Sequence, residues 1–136
     1  MESGMKCSRC GRPIDEHEAG RETDYCIAEV VLNLTCLHDP QTGILLPVDI
    51  QVKQYSTDLS AAMERVVFKL KTDGAAFGIK PSFGRAWQAE FYVPLTKDDA
   101  RRAEGYGNWK YWARAETLPL AICHAALKLA IDKYCA

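Results

Sequence analysis

The stretch "NWKYWARAETLPLAICHAALKLA", residues 108–130, changes its hydrophobic period once, and that change decides the fold. Up to Glu116 the chain alternates. Trp109, Tyr111, Ala113 and Ala115 fall on one side and Lys110, Trp112, Arg114 and Glu116 on the other, the period of a half-buried strand. From Thr117 the spacing becomes helical: Leu118, Ala121, Ile122, Ala125 and Leu129 form a stripe, Thr117 is a good cap, and Pro119 fits the first turn. A strand therefore runs directly into a helix, and the alanines on its stripe let that helix lie close to a sheet.

Working upstream, "AWQAEFYVPL" at 86–95 alternates as well, with Trp87, Ala89, Phe91 and Val93 opposite Gln88, Glu90 and Tyr92. "AAFGIKP" at 75–81 supplies a third strand, and "TKDDARRAEGYG" at 96–107 is a loop long enough for a helical turn. Before the strands, Leu59, Ala62, Met63, Val66, Val67 and Leu70 make one helical face. Ser56 or Thr57 is the expected cap, Asp58 lies in the first turn and Gly74 ends the helix. An earlier stripe of Ile27, Val30, Val31 and Leu34 predicts another helix. "HDPQTG" and "ILLPVDIQV" then break the pattern, because Pro47 confines the second to an edge or irregular segment. The order α, extended piece, α-β-β-β-α predicts an α+β fold, a three-stranded antiparallel sheet packed with helices as a helix/sheet/helix sandwich. Residues 20–136 form the domain, and residues 1–19 read as a polar, cysteine-containing tail. The first helix is expected to cover the outer sheet face. Left open, that face would present Tyr92, Trp112 and Arg114 as an interaction patch.

The tail carries "MKCSRCGRPIDE" at 5–16, in which Cys7, Cys10 and Gly11 begin as a zinc knuckle does. Zinc takes four ligands, and CxxC supplies two. No second CxxC follows, so the remaining ligands must come from among Cys26, Cys36 and His38, with His17 the weaker choice. Two readings stand: a structural zinc that staples the tail, or a reduced tail without metal. A redox pair of the thioredoxin type would need a βαβ setting that is missing.

Composition excludes more than it identifies. The 136 residues are 48% hydrophobic and 26% charged, with a net charge of −1. This gives no field for nucleic acid or anionic lipid. No signal-peptide core opens the chain, and "LPLAICHAALKLAI" is interrupted by His124 and Lys128. A cytoplasmic location and reduced cysteines are the expectation. Cys123 and Cys135 read as small hydrophobes in the last helix. His124 reads as a solvated residue beside Lys128 and Asp132, since neighbours on a helix point about 100° apart and cannot pair as nucleophile and base. Asp98, Asp99 and Glu104 with Arg101 and Arg102 read as mixed surface charge, and no Gly-rich phosphate loop, GxSxG or HExxH occurs. An enzyme is not expected.

The α-β-β-β-α order also belongs to double-stranded RNA-binding domains, which need a lysine cluster at the start of the last helix. Here Glu116 and Pro119 occupy that place, and Lys128 comes three turns late. Three segments, "GRETDYCIAEVV" at 20–31, "YSTDLSAAMERV" at 55–66 and "ARAETLPLAICHAALKLA" at 113–130, resemble the phage ABA sandwich domain family of small phage and prophage proteins. The resemblance covers roughly residues 20–131. It implies a helix-sheet-helix sandwich and a phage or prophage origin, but no activity and no catalytic residues. The expectation is a non-enzymatic accessory interaction protein with an unidentified host or phage protein as partner, and with neither nucleic acid nor membrane. The alternative is a zinc-stabilised regulatory or nucleic-acid-binding module.

Overall fold

The computed structural model describes residues 6–32, 52–94 and 108–134. Helix α1 is the α-helix Arg21–Cys26 continued by a π-helical turn, Ile27–Val31. Helix α2 runs through Leu59–Ala61, a π-helical stretch Ala62–Val67, and Phe68–Thr72. Strands β1 (Ala76–Pro81), β2 (Trp87–Pro94) and β3 (Asn108–Ala115) follow, and helix α3 (Leu118–Tyr134) ends the described chain. Leu34, Cys36, His38, the "HDPQTG" and "ILLPVDI" stretches, the 96–107 loop and Cys135 lie outside the described residues.

The sheet is an antiparallel meander in the order β1-β2-β3. Its register pairs Phe77 with Phe91 and Phe91 with Tyr111, and Ala89 with Ala113. One face therefore carries an aromatic row beside a row of alanines, as the alternation requires. Phe91, Ala89, Ala113 and Tyr111 are buried, and Phe77 stacks on Phe91 at 5.1 Å between ring centroids. The Tyr111 hydroxyl donates to the Asp132 carboxylate, tying β3 to the end of α3; burial and that carboxylate raise its pKa.

Helix α3 lies on this face, with the Thr117 hydroxyl accepting from the Leu120 amide at 3.4 Å. Its burial exceeds a stripe. Every residue from Ala121 to Leu127 is buried, as are Leu129 and Ala130. A run of seven residues spans all sides of a helix, so α3 must be covered all round. The sheet covers one side, and α1 and α2 pack against the other. The α+β class and the meander stand as the sequence predicts, but the expectation that α1 covers the outer sheet face does not. Among the described residues α1 packs on α3, and Trp112 on the outer face is 44% exposed. The physical reason is the apolar run of α3, which offers α1 a more hydrophobic surface than a face carrying Gln88, Glu90, Lys110 and Arg114.

The cap of α2 also differs from expectation. Asp58 is the capping residue, its Oδ1 accepting from the amides of Ser60 at 2.9 Å and Ala61 at 3.4 Å. Ser56 is buried instead and ties α2 to α1. Its amide and hydroxyl both donate to Asp24 Oδ1 at 2.8 Å, and its oxygen accepts from the Gly20 amide at 2.9 Å. Gly74, with φ +104°, ends α2 in the left-handed region that favours glycine.

Candidate metal centre and the outer sheet face

Residues 6–19 are seated on the helices. Cys7 and Ile14 belong to the same hydrophobic core cluster as Ile27, Ile122 and Leu127. The CxxC turn is closed by the Gly11 amide donating to the Cys7 carbonyl at 2.8 Å and the Cys7 amide donating to the Arg12 carbonyl at 2.8 Å. Gly11 takes φ +77°, a conformation that costs other residues. Lys6 bridges to Pro13, and a short 3₁₀ turn, Ile14–Glu16, delivers His17.

This path brings together Cys7, Cys10, His17 and Cys26, whose ligand atoms all lie within 4.8 Å of one another. A tetrahedral centre with Zn–S and Zn–N bonds of about 2.0–2.3 Å needs ligand atoms roughly 3.5–4 Å apart, so the cluster has the right dimension. Cys10 Sγ is 3.2 Å from His17 Nε2. His17 Nδ1 is 3.1 Å from the Pro13 carbonyl. A carbonyl only accepts, so Nδ1 carries the proton and Nε2 is the bare nitrogen, the tautomer of a ligating histidine fixed by an outer partner. Cys7 is drawn down to about 4 by its hydrogen bond with Cys26, helped by the Cys10 and Arg9 backbone and by His17, against the opposing effect of burial. The same bond and burial raise Cys26. None of the four described cysteines, which include Cys123, is in a disulfide.

Of the sequence-named ligands, Cys7, Cys10 and Cys26 converge. His17, ranked below Cys36 and His38, completes the set. Cys36 and His38 lie outside the described residues. The decisive signal was position within the turn: Pro13 and the short 3₁₀ segment reverse the chain so that His17 returns to Cys10.

His124 is not solvated. It is buried, and its Nε2–H donates to the His17 carbonyl at 2.8 Å; burial lowers its pKa, keeping the ring neutral. The apolar run of α3 leaves no solvated side for it. Cys123 is fully buried, and burial holds its thiol well above the ordinary value, as suits a small hydrophobe.

The outer sheet face is organised around Glu90. Its carboxylate accepts from Gln88 Nε2 at 2.7 Å and from the Tyr92 hydroxyl, and pairs with Lys110 at 3.1 Å and Lys80 at 3.3 Å. Burial alone would raise its pKa; these partners bring it down to about 2. Opposite Glu90 stands Trp112, with Arg114 5.3 Å and Lys128 5.7 Å from its ring centroid. Arg114 also donates to Gln88 at 3.2 Å. Lys128 Nζ donates to the Trp112 carbonyl at 3.1 Å, which blunts that point of the β3 edge against another strand. A group held below its ordinary pKa stabilises the fold above that value and loses the contribution as pH falls. Glu90 should therefore give an acid-destabilising arm between its ordinary 4.5 and about 2. Glu90→Gln should flatten that arm in denaturation midpoints measured from pH 5 to 2, and an unchanged profile would contradict the network.

The sequence signature of the phage ABA sandwich domain matches residues 26–127. The chain belongs to this family. No curated relative and no solved structure matches it. The family region takes in α2, the sheet and most of α3, and begins at Cys26, so Cys7, Cys10 and His17 precede it. The candidate metal centre is thus formed where the preceding segment meets the family domain. Cys26 contributes a sulfur to it from the domain side, and His124 holds the His17 carbonyl. Among the described residues no helix is long and apolar enough to cross a membrane.

Proposed function

We propose that this phage-type protein is a non-enzymatic accessory interaction protein, acting in the cytoplasm on a protein partner from host or phage. The outer sheet face is its working surface, and a structural zinc held by Cys7, Cys10, His17 and Cys26 fixes its N-terminal segment. The observation that carries the interaction reading is the exposure of Trp112 between Arg114 and Lys128, on a face whose carboxylate is sunk beneath Lys80 and Lys110. Tryptophan and arginine are the side chains on which binding energy concentrates. The zinc reading rests on four convergent ligands, three of them soft sulfurs, in a closed set that leaves no position for a reacting water.

Trp112→Ala tests the surface. An exposed tryptophan flanked by two cations should cost about 1 kcal/mol or less in stability. Capture of a partner from phage-infected cells should nevertheless be abolished. A loss of several kcal/mol, or a partner retained by the variant, would remove this face from consideration. Metal analysis of the purified protein should find one zinc per chain, and protein free of metal would sink the zinc reading.

A further inference from the structure

We infer that Arg9 is the counter-ion and positioning residue of the metal centre: it lies inside the CxxC turn and reaches across to the ligand sulfur of Cys26. The inference rests on the zinc reading and goes beyond it by naming the group that sets the site's affinity. Three thiolates, one neutral imidazole and a divalent ion sum to a charge of −1. Cys7, His17 and Cys26 are buried, and a buried net charge is costly unless a partner offsets it. Arg9 is placed to do so, with Nη1 3.6 Å from Cys26 Sγ.

The helix it faces explains its orientation. Glu22, Cys26 and Glu29 follow one another at spacings of four and three, so they share one face of α1. Arg9 lies along that row. Its Nη1 pairs with Glu22 at 2.6 Å and its Nε with Glu29, while its guanidinium sits 5.6 Å from the Tyr25 ring centroid. Anchored at both ends, the planar fork presents an N–H to the sulfur between them. A lysine could supply the charge but not three directed contacts. A hydrogen bond to a ligating thiolate stabilises its lone pairs, which tightens retention of the thiolate form and raises the energy needed to move an electron from sulfur to metal.

Titration of the full chain with cobalt(II), followed by displacement with zinc, separates the alternatives. Arg9→Ala should weaken metal binding 10- to 100-fold, as loss of an outer-shell partner does, and should shift the sulfur-to-cobalt charge-transfer band to lower energy. Arg9→Lys should recover most of the affinity while keeping the shifted band, and it guards against a folding defect in the alanine variant. The double variant Glu22→Gln with Glu29→Gln removes both ion pairs but keeps a neutral acceptor oxygen at each anchor, so Arg9 stays at the sulfur and affinity should stay within a few-fold of the parent. If the double variant instead loses as much as Arg9→Ala, Arg9 is only a clamp between turn and helix and the inference fails. It fails equally if Arg9→Ala binds as the parent does, with the zinc reading intact. A parent chain that takes up no cobalt or zinc overturns both.

Discussion

Cys26→Ser should cost about 5–7 kcal/mol of unfolding free energy in medium holding free zinc at about a thousand times its dissociation constant: about 4 from the metal, which only the native state binds, and the rest from the buried hydroxyl itself. Cys26 is completely buried on α1, facing Cys7. Once a chelator has stripped both proteins, the difference should shrink to about 1–3 kcal/mol, the usual cost of burying a hydroxyl without a good partner. Chemical denaturation of parent and variant, with and without chelator, gives the four values. Amide exchange gives the location. Chelation should deprotect residues 6–19, whose own apolar anchors are few, Cys7 and Ile14 chief among them. The amides of α3 and of the strands should stay protected, since Phe91, Ile122 and Leu127 are buried without help from the metal. A parent protein indifferent to chelation would show that the N-terminal segment is held by packing alone.

Phe91→Ala should cost about 3–5 kcal/mol, the range for removing a fully buried aromatic ring. Phe91 is at the centre of the sheet's inner face, in register between Phe77 and Tyr111, and is completely buried beneath α3. Neither strand partner can close the hole, because each is fixed in its own hydrogen-bond ladder and α3 is already pressed against the alanines beside it. Phe91→Leu, which keeps most of the volume, should recover more than half of the loss. The pair separates cavity formation from a loss of strand propensity, and equal losses in both variants would argue against a tightly packed centre at this position. The contrast with Trp112→Ala is the informative one. Two aromatic residues on neighbouring strands, on opposite faces, should differ in cost by about 3 kcal/mol.

The strands and helices were legible because their signals are local. Period-two alternation in 87–93 and 109–115 and the helical stripe of 59–70 each report which side of an element is apolar, and backbone geometry converts that into strand or helix. Thr117 and Gly74 marked their helix ends because capping is settled within a turn. Asp58 rather than Ser56 became the cap of α2 through a longer-range cause, the recruitment of Ser56 by Asp24. The candidate metal cluster was half legible. Cys7 and Cys10 announce themselves by spacing, whereas His17 and Cys26 stand alone in the sequence and join the cluster only because a turn and a helix carry them back.

What the sequence by itself determined is the set of elements, their order, the inner face of the sheet and the family, all consequences of residue type at short spacing. What only the tertiary structure decided is which surfaces meet. An amphipathic helix such as α1 has a face to bury but no record of where. It settled on α3 because that helix is buried on every side from Ala121 to Leu127, and Trp112 on the sheet's outer face was left exposed. The same packing turned His124 inward to hold His17 and set Cys26 opposite Cys7, joining sulfurs that the chain keeps 19 residues apart.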